Sequence, residues 1–123
     1  MNRLDNAQTV NFPGNSIEDV AVDSQGNIYV PVGAKSSSIY RVRPDNLTRL
    51  ELLAENEYQI MGVYLSPDEK KLALADQTEG LKILDIESGK ITKLVGEFNG
   101  RKFVSTNSIT FSDDSTIFFT HTG

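Results

Sequence analysis

Two side chains with oxygen donors occupy the same position in a pattern that this sequence repeats. Glu18 and Asp19 directly precede one apolar segment, and Asn107 directly precedes another segment of the same kind. Carboxylate and carboxamide oxygens are hard ligands, which suit calcium better than softer metals. If the two segments are equivalent strands that start at one place, Glu18 and Asn107 form a candidate calcium site. The alternative is that Asp and Asn only cap strands and turns here.

The sequence carries few other catalytic signatures. It contains no cysteine, which excludes disulfides, thiolate metal sites and a cysteine nucleophile. His121 is the single histidine, so no His–His metal pair exists within the chain. A Ser-His-Asp set could be drawn from Ser112, Asp113 and His121. All three belong to one predicted hairpin, however, so the pattern favours a polar residue beside the last strand over a triad.

The acidic turns Asp68-Glu69 and Asp113-Asp114 also raise the question of calcium. They fill tight turns between predicted strands, where Asp and Ser side chains bond their own backbone. The pattern therefore favours a structural role for both turns.

The elements that must position Glu18 and Asn107 belong to a segment that recurs three times. Each copy is a short apolar strand, a closing Asp or Ser, a polar turn and a second apolar strand. The closing residues are Asp23, Ser66 and Ser112, which lie 43 and 46 residues apart. This period is about the length of one four-stranded blade of a β-propeller.

The period predicts an all-β fold, a β-propeller fragment of about two and a half four-stranded blades. Blade one covers residues 14–56, blade two residues 57–98, and the first half of blade three residues 99–123. Residues 1–13 form an N-terminal segment, in which Thr9 to Phe12 could add an extra strand. A helix over residues 50–57 is an alternative, because Leu50, Leu53 and Ala54 have helical spacing. The predicted strands are 20–23, 27–32, 38–43, 48–53, 62–65, 71–75, 81–86, 91–95, 108–111 and 116–120.

Size and charge narrow the functions further. A closed propeller needs roughly four to eight blades, so 123 residues predict a fragment, a truncated product or a piece that must assemble. The 12 Lys and Arg against 17 Asp and Glu give a net charge of −5, and no basic stripe alternates with aromatic residues, so nucleic acid is not an expected partner. Met1 to Asn6 contain no apolar core of a signal peptide, and no membrane-spanning segment is predicted, while the compartment stays open.

Three stretches resemble the calcium-dependent six-bladed propellers that include strictosidine synthase-like proteins, senescence marker protein/gluconolactonase and paraoxonase. Residues 17–29 are similar to the first-blade motif of strictosidine synthase-like proteins, Gly-Pro-Glu-Asp followed by an apolar strand and a glycine turn. Residues 75–81 resemble their second-blade Ala-Asp-x-x-x-Gly-Leu. Residues 106–120 resemble their Thr-Asn-Asp strand followed by Tyr-Phe-Thr-Asp. The chain departs from these motifs at Ser16-Ile17, in place of Gly-Pro, and at His121, in place of the last Asp.

The resemblance implies a six-bladed propeller that hydrolyses a small-molecule ester or lactone. Glu18 and Asn107 match ligands of the catalytic calcium, which polarises the substrate carbonyl. Asp19 matches a ligand of a second calcium site, for which this chain has Ser108 in place of another Asp. Later blades supply the remaining ligands in the family, and also the glutamate that strictosidine synthases use to condense an amine with an aldehyde. Neither activity is therefore expected to be complete in this chain alone. The alternative function is a non-catalytic binding scaffold or a truncated, inactive homologue.

The last predicted strand has no outer partner in the sequence. Thr116 to Thr120 is apolar at its centre and contains no Lys or Pro that would blunt a sheet edge. Such an edge recruits another strand, from a second copy or from the segment Thr9 to Phe12. The sequence therefore predicts self-association through this blade edge.

Overall fold

The computed structural model describes residues 7–112 and 116–122, and every regular element in this part of the chain is a β-strand. The predicted turn at Asp113-Asp114 and the first six residues lie outside the described residues. In chain order, the strands are β1 (Ala21–Val22), β2 (Ile28–Val32), β3 (Ser37–Arg43), β4 (Asn46–Asn56), β5 (Ile60–Leu65), β6 (Lys71–Asp76), β7 (Gly80–Asp85), β8 (Ile91–Val95), β9 (Glu97–Phe98), β10 (Arg101–Lys102), β11 (Ile109–Phe111) and β12 (Ile117–Phe119).

The strands pair in chain order and are antiparallel throughout. Strands β1 to β4 form sheet one, β5 to β8 form sheet two, and β11 pairs with β12 as hairpin three. The first turn of each unit is closed in the same way, because the backbone N–H of the closing residue donates to a carbonyl across the turn. The three bonds run from Asp23 to Asn27, from Ser66 to Lys71 and from Ser112 to Thr116. These bonds make Asn27, Lys71 and Thr116 equivalent positions and align the three copies of the repeat.

Sheet two lies in the middle of the stack and is covered on both faces. Strand β6 is apolar at every position between Lys71 and Asp76, as expected for a strand that is buried on both sides. On one face, Leu72 and Leu74 pack with Tyr29 of sheet one. On the other, Ala73 and Ala75 pack with the apolar side chains of hairpin three. We call the two contacts junction one, between sheets one and two, and junction two, between sheet two and hairpin three.

The helix considered for residues 50–57 is wrong, because β4 is an 11-residue strand there. Ala54 pairs with Ile39 and Leu52 pairs with Tyr40, so Leu53 is an extra residue in a β-bulge. The bulge shifts the alternation by one, and Leu53 and Ala54 both pack against the core of junction one. Pairing along the whole of β3 and burial of both residues outweigh their helix propensity.

Two local features differ from the predicted plan. Residues 9–12 form no strand, and the Phe12 ring packs 5.8 Å from the Tyr40 ring of sheet one. A short hairpin of β9 and β10 leads towards hairpin three, and it turns at Asn99 and Gly100 with φ angles of 52° and 76°. Two consecutive left-handed residues are what a tight two-residue hairpin turn requires, and Asn-Gly is the sequence that adopts them most readily.

Candidate functional site

The first strands of the three units, β1, β5 and β11, begin at one rim of the stack, where contacts of Asp19 and Asn107 with Gly62-Val63 join them. The Asp19 carboxylate accepts hydrogen bonds from the backbone N–H of Val20 at 2.8 Å and of Val63 at 3.0 Å. The second bond crosses junction one, from Asp19, two residues before β1, to the middle of β5. Asp19 therefore fastens sheet one to sheet two at this rim.

At the equivalent position of junction two, the two backbones approach each other directly, because the residue there has no side chain. Gly62 takes the place of Asp19 in sheet two, and a Cβ added there would overlap the backbone carbonyl oxygen of Asn107. Only glycine permits this approach, because a side chain at position 62 would overlap the Asn107 carbonyl. The dipeptide Gly62-Val63 thus contacts both Asp19 and Asn107.

Glu18 and Asn107 lie at this rim, each at or beside a residue that contacts Gly62-Val63, and both side chains are exposed. The Glu18 carboxylate accepts a long hydrogen bond of 3.3 Å from the Ser16 hydroxyl, which in turn accepts one of 2.9 Å from the Gln59 amide. The backbone N–H of Asn107 donates to Thr120 at 3.0 Å, which fixes the start of β11.

The side chains of Glu18 and Asn107 carry the kind of oxygen donor that a hard cation prefers, and they could supply only part of a ligand set. Within residues 7–112 and 116–122, the Asn107 carboxamide makes no hydrogen bond and Glu18 makes only the long one, so their oxygens are free to bind a ligand. Calcium takes six to eight oxygen ligands, and no group of three or more acidic, His or Cys side chains that could hold a metal occurs in the described part of the chain. The second site implied by the resemblance has less support, because the Asp19 carboxylate is already bonded to two backbone N–H groups.

A second polar cluster, which the sequence analysis did not single out as a site, is buried at junction one. Asp76 is fully buried, and its carboxylate accepts hydrogen bonds from the Asn56 amide at 2.8 Å and from the Lys82 ammonium at 2.8 Å. The backbone N–H groups of Thr78 and Glu79 donate to its other oxygen, both at 2.8 Å. This cluster joins the end of β4 to the β6–β7 turn. The only sequence signal for it was the Ala-Asp-x-x-x-Gly-Leu stretch, noted for its resemblance alone.

The hydrogen bonds of this cluster stabilise the charged forms of Asp76 and Lys82. Burial alone would raise the pKa of Asp76, but hydrogen bonds from Lys82, Asn56 and two backbone N–H groups outweigh burial and lower it. Burial would lower the pKa of Lys82, but its hydrogen bonds to Asp76 and Glu79 raise it. Lys82 therefore stays an ammonium ion and is unsuited to act as a base or an amine nucleophile.

The remaining candidate groups have structural partners, within their own turn for Asp68 and across junction one for Glu69. The Asp68 carboxylate accepts from the Ser66 hydroxyl and the Lys70 backbone, while Glu69 accepts from the hydroxyl and backbone N–H of Ser24 at 2.6 Å each. The exposed His121 ring lies 5.1 Å from the Phe103 ring and 6.3 Å from the Phe119 ring. Asp113 lies outside the described residues, so the set with Ser112 and His121 stays an alternative of the sequence alone.

No protein-family model matches the sequence, and no curated protein matches it. Solved structures do match. A structural genomics protein of unknown function from Bacteroides thetaiotaomicron is 15% identical with a TM-score of 0.69, over 89% of this chain and 29% of that one. The nidogen/laminin complex matches with 18% identity and a TM-score of 0.67, over 84% and 38%. Hydrazine synthase of Kuenenia stuttgartiensis matches with 14% identity and a TM-score of 0.66, over 94% and 32%.

The last two of these neighbours are β-propeller-like folds. This chain has the same architecture. The predicted all-β propeller fragment is confirmed by the antiparallel four-stranded sheets and by these likenesses, which at such low identity concern the fold alone. The chain spans 29–38% of the length of the three structures. Among the described residues, no helix is long and apolar enough to cross a membrane.

Proposed function

We propose that this chain forms part of a calcium-dependent ester or lactone hydrolase, with Glu18 and Asn107 as two of the calcium ligands. The observation that carries the proposal is the shared rim, where Asp19, next to Glu18, and Asn107 contact the adjacent residues Val63 and Gly62. The side chains of Glu18 and Asn107 are exposed and offer hard oxygen donors. The resemblance of residues 17–29 and 106–120 to hydrolytic propellers supports the same assignment.

The residues of this chain would have distinct roles in such a site. Glu18 would supply negative charge and Asn107 a neutral oxygen, while Ser16 would hold the Glu18 carboxylate through its hydroxyl. Bound calcium would polarise the carbonyl of the ester or lactone. Asp19 would position the rim by tying β1 to β5 rather than contacting the substrate.

A second candidate function is a binding scaffold without catalysis. This function is favoured because the charged groups of Asp19, Asp76 and Lys82 are all hydrogen-bonded to other groups of the chain. No spare general base is apparent among these three groups.

Hydrolysis assays separate the two functions. The full-length protein is incubated with aryl esters and small lactones, with calcium and with a chelator. The proposal expects hydrolysis that requires calcium and falls at least tenfold in Glu18→Gln. The matched control is Glu87→Gln, an exposed glutamate in the β7–β8 turn at the opposite end of sheet two, which should retain activity. No hydrolysis with calcium would favour the scaffold, and equal activity in Glu18→Gln would show that Glu18 is not a ligand of the catalytic calcium.

A further inference from the structure

Strand β5 contains a β-bulge where it starts at the rim. Ile60 pairs with Asp76 and Gly62 pairs with Ala75, so Met61 is an extra residue in the pairing with β6. Bulges bend a strand, redirect a side chain and are over-represented next to active sites. Ile60 and Gly62 are buried, whereas Met61 is partly exposed. The bulge therefore presents an apolar side chain at the rim.

Met61 has the same position in the repeat as the two proposed calcium ligands. Glu18, Met61 and Asn107 each lie five residues before the closing residue of their unit. Gly62, the neighbour of Met61, contacts the Asn107 backbone, and Val63 is bonded to the residue next to Glu18. Met61 thus lies between the two proposed ligands along the rim.

The exposure of Met61 does not arise from the ends of the chain. Sheet one covers one face of sheet two and hairpin three covers the other, yet among the described residues neither apolar core includes Met61. Propeller blades are arranged around a central channel, and the first strand of each blade is the one nearest to it. Further blades would therefore complete the ring of rim positions and leave Met61 at the mouth of the channel.

We propose that Met61 is a specificity-determining residue of the hydrolase, and that it contacts an apolar group of the ester or lactone. The inference rests on the proposed function, because it requires the substrate carbonyl to bind near Glu18 and Asn107. A thioether is a soft group that does not suit calcium, so Met61 is not a further ligand. Its flexible apolar chain favours substrates that carry an alkyl or aryl group over substrates covered with hydroxyl groups.

The first test compares two lactones of the same ring size, one with an alkyl chain and one with hydroxyl groups. In the full-length protein with calcium, Met61→Ser should lower kcat/KM for the alkyl lactone by about tenfold, mainly through KM. The value for the hydroxylated lactone should stay the same. Met61→Leu should restore the preference, because Leu is apolar and of similar volume.

The second test locates Met61 without using catalysis. Met61→Glu places a carboxylate between the two proposed ligands, and should raise calcium affinity in calorimetric titration by about fivefold. Gln25→Glu is the matched control, because it adds the same charge at an exposed residue of the β1–β2 turn, at the opposite end of the stack. This control should bind calcium like the wild type, as should Met61→Ser.

The outcomes separate this inference from the proposed function. A wild type that neither binds calcium nor hydrolyses either lactone would refute both. If the wild type hydrolyses lactones with calcium, an unchanged preference in Met61→Ser would overturn the role of Met61 alone. Equal calcium affinity in Met61→Glu and Gln25→Glu would likewise show that Met61 does not lie beside the site.

Discussion

The two junctions of this stack are built on different principles. Polar groups span junction one: Asp19 bonds Val63 at the rim, Glu69 bonds Ser24 at the opposite end, and the Asp76–Lys82 pair is bonded to Asn56 of sheet one. Junction two is an apolar contact in which Gly62 lets the Asn107 backbone approach directly. Junction one adds these hydrogen bonds to an apolar core, whereas junction two relies on close apolar packing.

The difference concerns the candidate site directly. Glu18 is held by the polar junction and Asn107 by the apolar one, so the distance between the two proposed ligands depends on both. A change at either junction should therefore alter the relative position of Glu18 and Asn107, and the size of the effect should differ between the two junctions.

The largest expected effect is at the buried ion pair of junction one. Asp76→Asn removes the charge that balances the buried Lys82 ammonium, and should lower the free energy of unfolding by about 3 kcal/mol. Urea denaturation measures it. The double variant Asp76→Asn with Lys82→Met should regain part of the loss, because no buried charge then remains unpaired, and Glu79, which also loses Lys82, is partly exposed to solvent. Asp85→Asn, at the exposed end of the same sheet, is the matched control and should change stability far less.

The same pair predicts how stability depends on pH. The folded state lowers the pKa of Asp76 from its ordinary value of 3.8. Its contribution is therefore present above pH 3.8 and is lost as pH falls from there through the lower folded pKa. Urea midpoints of the wild type and Asp76→Asn should converge in that acidic range. A difference that stays constant into acid would contradict this account of the pair.

An intermediate effect is expected at junction two. Gly62→Ala places a Cβ against the Asn107 carbonyl and should cost about 2 kcal/mol. Hydrogen exchange should rise in hairpin three more than in sheet one, because the clash lies at junction two. Gly100→Asn is a suitable control, since a Cβ at position 100 meets nothing within 4 Å and Asn tolerates left-handed backbone. Equal exchange in both regions would mean that the junctions are not independent.

The smallest expected effect is at the Asp19 bond. Asp19→Ala leaves the Val63 N–H without its acceptor, and should cost about 1 kcal/mol. Asp19→Asn keeps an acceptor oxygen and should cost less. If Asp19 instead bound a second calcium, added calcium would stabilise the wild type more than Asp19→Asn, a difference that thermal unfolding would reveal.

Much of the fold could be predicted because the same strand-turn-strand pattern occurs three times in the sequence. Alternating apolar residues and closing turns located ten of the twelve strands to within a few residues. The extra residue Leu53 in β4 gave the apolar residues of this strand a helical spacing. The bulge itself could not be predicted, because it depends on the pairing with β3 and not on local sequence. The β9–β10 hairpin carried a readable signal in Asn99-Gly100, which the blade plan did not use.

The candidate site was less accessible to sequence reasoning. The equivalent positions of Glu18 and Asn107 follow from counting along the repeat, but the contacts of Gly62-Val63 with Asp19 and Asn107 appear only when the sheets are stacked. The Asp76 cluster depends on Asn56, which is twenty residues away and in a different sheet. Such partners are set by the packing of sheets, and no local pattern specifies them.

The most direct test of the proposed site is calorimetric titration of calcium into the full-length protein and its rim variants. Glu18→Gln and Asn107→Ala should each weaken calcium binding by at least tenfold, and Glu87→Gln should bind like the wild type. Calcium affinity that is the same in the wild type and in both rim variants would contradict the assignment of Glu18 and Asn107 as ligands.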